Sequence, residues 1–280
     1  MKKINSKKSF QNQDIVFMFP YFVWLILFVL APIFLLIYQS LLSIDGAFTF
    51  ENILRYFTSI TYLSMTFQSF LYAGFITIVT LIISYPAAYI LTKTEHKELW
   101  RMLLILPKWI NILLKAYAFI GILSQSGSVN RFLEFIGIGH RQILFTNFSF
   151  LLVATYIELP FMMMPIMNAI NEIDASLIKA SHDLGANTWT TIKKVILPLS
   201  MNGVRSGIQA VFIPSLSLFM LTRLIGGNRV ITLGTAIEQH FLVTQNWGMG
   251  STIGIVLIVL MFIVMKLTSN KKTRRGVSND

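Results

Sequence analysis

There is no cysteine among the 280 residues, so neither a disulfide nor thiol chemistry can take part in what this chain does. Charge is scarce as well: charged residues are 12% of the chain and hydrophobic residues 55%, far from the balance of a soluble domain. Acidic groups are the rarer sign, 12 against 23 basic. No Gly-x4-Gly-Lys-Ser/Thr phosphate loop occurs, which excludes ATP binding by that route. There is no His-Glu-x2-His zinc site and no Gly-x-Ser-x-Gly nucleophile elbow. His96, His140, His182 and His240 are scattered over four loops and form no metal-ligand spacing. Asn147-Phe-Ser149 fits a glycosylation acceptor, a triplet that chance produces often. Ready-made catalytic signatures are therefore missing. Two readings outside transport stay open: an intramembrane enzyme built from residues distant in sequence, and an assembly subunit without a pathway.

What the chain does have is apolar length. Runs near 15–40, 68–92, 100–124, 148–170, 201–224 and 251–268 are each long enough to cross a bilayer as a helix, which takes about 20 apolar residues. The third is interrupted by Pro107, Lys108 and Lys115. The first exceeds the roughly 7–15 apolar residues of a signal core and no small-x-small site follows it, so it is expected to stay as a span. The expectation is an all-α membrane protein with six transmembrane helices.

The net charge of +11 has a direction. Lys2, Lys3, Lys7 and Lys8 precede the first span. Lys93, Lys97 and Arg101 join the second to the third. Lys179, Lys193 and Lys194 join the fourth to the fifth, and Lys266, Lys271, Lys272, Arg274 and Arg275 follow the sixth. The opposite loops hold Arg55, Arg131, Arg141, Arg223 and Arg229. Positive loops stay inside, so both termini are expected in the cytoplasm, and the basic charge points to a bilayer and not to nucleic acid. The units read as a cytoplasmic segment 1–14, a six-span unit 15–268 with a cytoplasmic insert near 171–200, and a basic cytoplasmic tail 269–280.

Several spans carry proline: Pro32, Pro86, Pro107, Pro160, Pro165 and Pro214. Each removes a backbone donor and bends its helix. The bends suit a bundle around a wet pathway; ordinary kinks in a packed bundle explain any one of them equally well. Gly203-x3-Gly207 and Gly250-x3-Gly254 have the small-residue spacing that lets helices approach. Lys115 lies about 14 residues into its span, some 20 Å deep at about 1.5 Å per residue. Glu158 is near the middle of the fourth span. Intramembrane charges face a bundle interior or a wet cavity. The two are expected to face one interior, where they either pair to fix helix rotation or line a route. Tyr117, Phe161 and Arg223 complete the pathway candidates. Lys108 is expected to snorkel to the cytoplasmic surface. After Gly226-Gly227, residues 231–243 form a stretch apolar on one helical face, expected as a short helix at or dipping into the outer surface.

The insert between the fourth and fifth spans has the skeleton small–small–x3–Gly–x9–Val–x–Leu–Pro, running from Lys179 to Pro198. It reads as two short helices with a turn at Gly185, where glycine permits the left-handed geometry that ends a helix. Asn187 or Thr188 can cap the second helix. A solvated loop is the plain alternative to a partner's grip.

This insert resembles the "EAA" loop of binding-protein-dependent ABC importer permeases, Glu-Ala-Ala-x3-Gly-x9-Ile-x-Leu-Pro. Lys179 stands at the Glu position, Ala180 and Ser181 at the two alanines, Gly185 at the glycine, and Val195, Leu197 and Pro198 at the end, with Asp183 and Leu184 between. The segments 84–93, 106–117, 159–165 and 234–240 are similar to PotB-type permeases of bacterial spermidine/putrescine importers. The resemblance implies the MetI-like fold of type I ABC importer permeases in the bacterial plasma membrane. It implies that Lys179, Ala180, Ser181, Asp183, Leu184, Gly185, Leu197 and Pro198 couple to a cytoplasmic ATPase. The implied partners are a PotC-type permease subunit, two copies of that ATPase and an extracellular polyamine-binding protein. ATP and Mg would be bound by the ATPase, with no cofactor in this chain. An importer of thiamine, an amino acid or phosphate is the alternative within the class. Polyamines are cations that Lys115 and Arg223 would repel, so the resemblance implies that acidic and aromatic groups of the binding protein and partner subunit carry most recognition, with Glu158 as this chain's best candidate contribution.

Overall fold

A computed structural model describes residues 12–227 and 229–269. The N-terminal lysines and nearly all of the basic tail lie outside the described residues.

The first span is two helices, α1 (Asn12–Leu25) and α2 (Ala31–Ser40), joined by a π-helical turn over Ile26–Leu30. A short α3 (Glu51–Thr58) follows, then α4 (Ile60–Lys93). At about 1.5 Å per residue α4 is some 50 Å long, well beyond a hydrocarbon core of about 30 Å. It begins eight residues before the expected second span, at Ile60.

The buried residues of α4 are Ser69, Ala73, Ile76, Thr77, Thr80, Ser84 and Ala88, a stripe spaced by three and four. Most are small or hydroxylic. Phe75, Ile78, Ile82, Ile83 and Ile90 point outward. That is the pattern of a membrane helix, where lipid takes the bulky residues and close backbone contact takes the small ones. Thr77 and Thr80 donate their hydroxyls to the carbonyls of Ala73 and Ile76 at 2.7 and 2.8 Å, so neither hydroxyl is left open.

The expected third span is broken in two: α5 (Lys97–Trp109) and α6 (Ile112–Leu123). Pro107 does not make the break. It sits in the last turn of α5, and the chain extends at Ile110 and Asn111. The Asn111 side chain then caps α6 by accepting the Leu113 N–H at 2.8 Å. The loop beyond contains α7 (Ser128–Phe135). The fourth span is α8 (Asn147–Asn171), the most enclosed helix of the bundle, and it continues unbroken through Pro160 and Pro165.

The insert holds α9 (Ala175–Asp183), α10 (Thr188–Thr191), a π-helical turn over Ile192–Ile196 and α11 (Leu197–Leu199). It leads into α12 (Met201–Ser215). The expected fifth span, 201–224, is therefore not one helix: it stops at Ser215, turns over 216–218 and resumes as α13 (Phe219–Leu224). The expected outer helix is α14 (Leu233–Glu238), extended by a π-helical turn over Gln239–Val243. Of the two expected placements it takes the second, dipping in. Leu233, Gly234 and Ala236 are buried, and the Leu233 N–H donates to Ser69 of α4 at 2.8 Å. The last helix is α15 (Trp247–Thr268). Among the described residues five helical stretches are long and apolar enough to cross a membrane: Met18–Ser40, Ile60–Lys93, Ile112–Phe135, Asn147–Asn171 and Trp247–Thr268.

Contacts fix the directions. Tyr72 meets Phe150 edge-on at 5.6 Å, and Ser84 donates to the Leu159 carbonyl at 3.5 Å, so α4 and α8 run parallel. Phe70 meets Phe212 at 5.7 Å and Tyr85 bonds Ser200 at 3.0 Å, so α12 runs against both. These three helices form the core. Gly203 and Gly207 are the contact points of α12 on α8. A Cβ at Gly203 would come within 2.5 Å of Ala169 Cβ, and one at Gly207 within 2.7 Å of the Met162 sulfur. Gly254, in the second glycine pair, faces open space. The α1–α2 span stands outside this core and packs against α15.

Candidate functional site

The insert is built as a handle. Asp174 starts α9 by accepting the Ser176 N–H at 2.8 Å, and these bonds hold its carboxyl below the usual range. α9 ends in a paired closure: the Gly185 N–H donates to the His182 carbonyl at 2.9 Å and the Ala186 N–H to the Ser181 carbonyl at 3.0 Å. This Schellman geometry needs a left-handed residue, and Gly185 has φ +78°. Asn187 then caps α10 through the Thr190 N–H at 2.8 Å.

Ser181, a departure from the resembled pattern, has a structural reason. It is buried and its hydroxyl lies 2.9 Å from that of Thr191, tying α9 to the start of α10. Lys179, Ala180, Asp183, Leu184, Gly185 and Pro198 are exposed, and Leu197 is half-buried. Leu184 and Trp189 flank the turn at 88% and 72% exposure. The two set exposed apolar surface beside an otherwise polar turn. Trp189 is absent from the expected coupling residues, although a tryptophan inside a polar insert was its available signal.

Within the bundle, Glu158 is 5% exposed and its Oε2 has no hydrogen-bond partner among the described residues. Lys115 stands close enough to act on it electrostatically, yet no ion pair within 4.0 Å forms between them. The two do share one interior, as expected, but of the two arrangements left open the direct ion pair is not formed. The reason is the break: Lys115 sits in the first turns of α6, just past the extended residues at 110–111, and not mid-helix. Lys108 does not snorkel free. Its ammonium lies over the Phe161 ring, 4.2 Å from the centroid. Glu158 and Phe161 are three apart on α8 and so share a face. The structure brings Lys108, Lys115, Glu158 and Phe161 together between α5, α6 and α8. Tyr117 is not with them. Two residues past Lys115 on a helix of 3.6 residues per turn, it points to another side and is exposed.

Arg223, the remaining pathway candidate, does not stand alone. Its guanidinium pairs with Glu238 of α14 at 2.8 Å. Sequence reading gave no sign of this partner, 15 residues away and on another helix.

A multi-pass bundle of bent helices, with unpaired charge inside and a capped helix–turn–helix outside, has the form of a membrane transporter's permease subunit. Residues 96–270 match the binding-protein-dependent transport system inner membrane component family. The spermidine/putrescine transport system permease protein PotB of Haemophilus influenzae is 35% identical, over 99% of this chain and 99% of its own. That of Escherichia coli is 34% identical over 86% of this chain and 91% of its own. The chain belongs to this family of inner membrane transport permeases. Among solved structures it is similar to a bacterial ABC transporter involved in import of the acidic polysaccharide alginate: TM-score 0.75, 18% identity, covering 91% of this chain and 94% of that one.

Proposed function

We propose that this chain is one half of the translocation pathway of a polyamine importer, with spermidine or putrescine as cargo. The reading draws its substrate from the PotB relatives that match nearly the whole chain. Six crossings follow when α5–α6 and α12–α13 each count as one broken span, and charge bias then puts the termini and the insert in the cytoplasm. In this arrangement 15–268 is the permease unit, 171–200 its cytoplasmic handle, and 1–14 and 269–280 are cytoplasmic ends. A PotC-type subunit supplies the other half, two ATPase copies bind ATP and Mg, and an extracellular binding protein delivers the polyamine. No bond chemistry falls to this chain.

The observation that carries coupling is the pair of exposed apolar side chains, Leu184 and Trp189, beside a rigidly closed turn. The α9 unit is stiff enough to transmit displacement, and its apolar tips suit a cleft on a motor. Movement there passes through the π-helical turn Ile192–Ile196 into α12, which is locked glycine-to-backbone on α8. That helix carries Glu158 and Phe161. The experiment is reconstitution with the three presumed partners and measurement of ATP-dependent uptake of labelled spermidine. Leu184→Asp with Trp189→Ala is expected to abolish uptake and to lose the ATPase on purification, with the permease pair intact. Uptake of thiamine, an amino acid or phosphate in place of spermidine would reject the substrate. ATPase retention by the double variant would reject the coupling surface.

A further inference from the structure

A third charged group lies apart from the insert and from the Glu158 face. α12 starts beside the insert and runs away from it, so α13 and α14 lie at the opposite end of the bundle. Between them is a cleft of about 340 Å³ whose lining includes Arg223, Thr235, Glu238 and Gln239, with Val230 and Ile231 as an apolar wall. That volume is within the range of small-molecule sites.

We propose that this cleft is a receptor for a terminal ammonium of the cargo, with Glu238 as its carboxylate and Arg223 as a tethered cation that holds the place until cargo displaces it; this rests on the polyamine reading above. The asymmetry of the pair is the main argument. The Glu238 side chain is 16% exposed and fixed in α14, whereas that of Arg223 is 63% exposed. They meet through one guanidinium nitrogen and one carboxylate oxygen, at 2.8 Å. A mostly solvated arginine in a one-point contact is weakly held, while a covered carboxylate keeps its need for a cation. The wall fits the cargo: a polyamine is ammonium groups separated by methylenes, and here a carboxylate stands beside valine and isoleucine. Gln239 adds a side-chain oxygen that can accept from an ammonium, while the Thr235 hydroxyl is held in the capping of α14 by Thr232.

The tether also gives selectivity. A guanidinium attached nearby competes at an effective concentration of order millimolar or above, which excludes dilute monovalent cations. Cargo released locally by a docked binding protein arrives at comparable concentration and wins with more than one charge. α13 packs on α6 and α8, the helices that carry Lys115 and Glu158.

The test uses the complete transporter in vesicles with saturating binding protein. Glu238→Gln is expected to lower maximal spermidine uptake about tenfold with less spermidine retained on the complex, and Arg223→Gln to slow uptake with more spermidine retained than in wild type. If the pair were only a structural latch, both variants would lose uptake and retained spermidine together, and that result overturns the proposal. So does a Glu238→Gln loss that more binding protein restores, since it assigns the pair to docking. Should Glu238→Gln fail to assemble, Glu238→Asp carries the test: it keeps the charge, shortens the reach and is expected to give an intermediate rate; a wild-type rate overturns the proposal. A wild-type complex that moves no polyamine removes the substrate reading itself, whereas a working wild type with unaltered Glu238→Gln removes only the cleft.

Discussion

Gly185 separates two roles that are usually inseparable in a loop glycine. Its φ of +78° places it where L-residues are strained, and a Cβ built on it meets nothing within 4 Å. In the isolated chain a substitution therefore acts through the backbone alone. The left-handed conformation costs an ordinary residue about 1–2 kcal/mol, and asparagine tolerates it best. At 1.4 kcal/mol per tenfold, Gly185→Ala is expected to open the α9 closure about five- to thirtyfold more often. Gly185→Val is expected to do worse, because a β-branched side chain is less tolerant there, and Gly185→Asn to stay close to wild type. Hydrogen exchange at the Ala186 amide, which donates to the Ser181 carbonyl at 3.0 Å, reports the closure directly. Uptake with the ATPase present reports the second role. If α9 only needs to be well formed, uptake follows the same order as exchange: Asn, then Ala, then Val. If the motor's cleft closes over residue 185, asparagine blocks uptake despite good protection, because it is bulkier than alanine. Exchange that is equal in all four proteins would refute the backbone argument outright.

Three further outcomes are expected. Ser181→Ala leaves the buried Thr191 hydroxyl without its 2.9 Å partner and should cost about 1–3 kcal/mol, while the double change with Thr191→Val costs less than that single change; a double-mutant cycle read by exchange in α9 checks it. Gly203→Leu forces α12 off α8 at Pro165 and Ala169 and should cost at least about 1–3 kcal/mol, whereas Gly254→Ala should fall within about 0.5 kcal/mol; thermal midpoints in detergent decide it. His240 shares a 3.0 Å hydrogen bond with the Tyr62 hydroxyl, and burial first, then Arg55, holds its pKa below the ordinary value. The unfolded chain then takes the proton first as pH falls from about 6.5. Stability is complete above that pH and is lost as pH drops toward the lowered folded value. The thermal midpoint should fall between about pH 7 and pH 5, and His240→Gln should flatten that slope.

The apolar runs made the spans legible because bilayer thickness is a constraint on length, and length is visible in one dimension. The breaks were not legible. Pro107 looked like the interruption of the third span, yet α5 holds it in its last turn while Ile110 and Asn111 extend. Pro86, Pro160 and Pro165 pass through unbroken helices. Proline marks a missing donor; whether the helix stops depends on neighbours the string does not show. The turn at Gly185 was legible because its requirement is local to the backbone. The partners of charge were not, since Arg223–Glu238, Lys108–Phe161 and Lys115–Glu158 each join different helices. Ser181 looked like a blemish on a family pattern until Thr191 stood beside it.

The alginate transporter carries an acidic polymer on this same fold, so the fold itself sets no charge preference. For a cationic cargo, selection has to reside in a few side chains. This chain puts a cation or a ring against each of them: Arg223 on Glu238, Lys115 near Glu158, Lys108 over Phe161. Under the proposed function that arrangement resolves the apparent conflict between basic residues and basic cargo. A bare carboxylate in low dielectric would bind an ammonium tightly and release it slowly. One that already has a tethered competitor binds it only by the difference between the two cations, and conduction requires a site weak enough to leave. Removing a lysine is then expected to strengthen occupancy and slow turnover, the reverse of what simple repulsion gives. Lys115→Gln decides between them in the reconstituted transporter. Uptake that speeds up supports repulsion and rejects the competitor argument, while uptake that slows, with more spermidine retained on the complex, supports it.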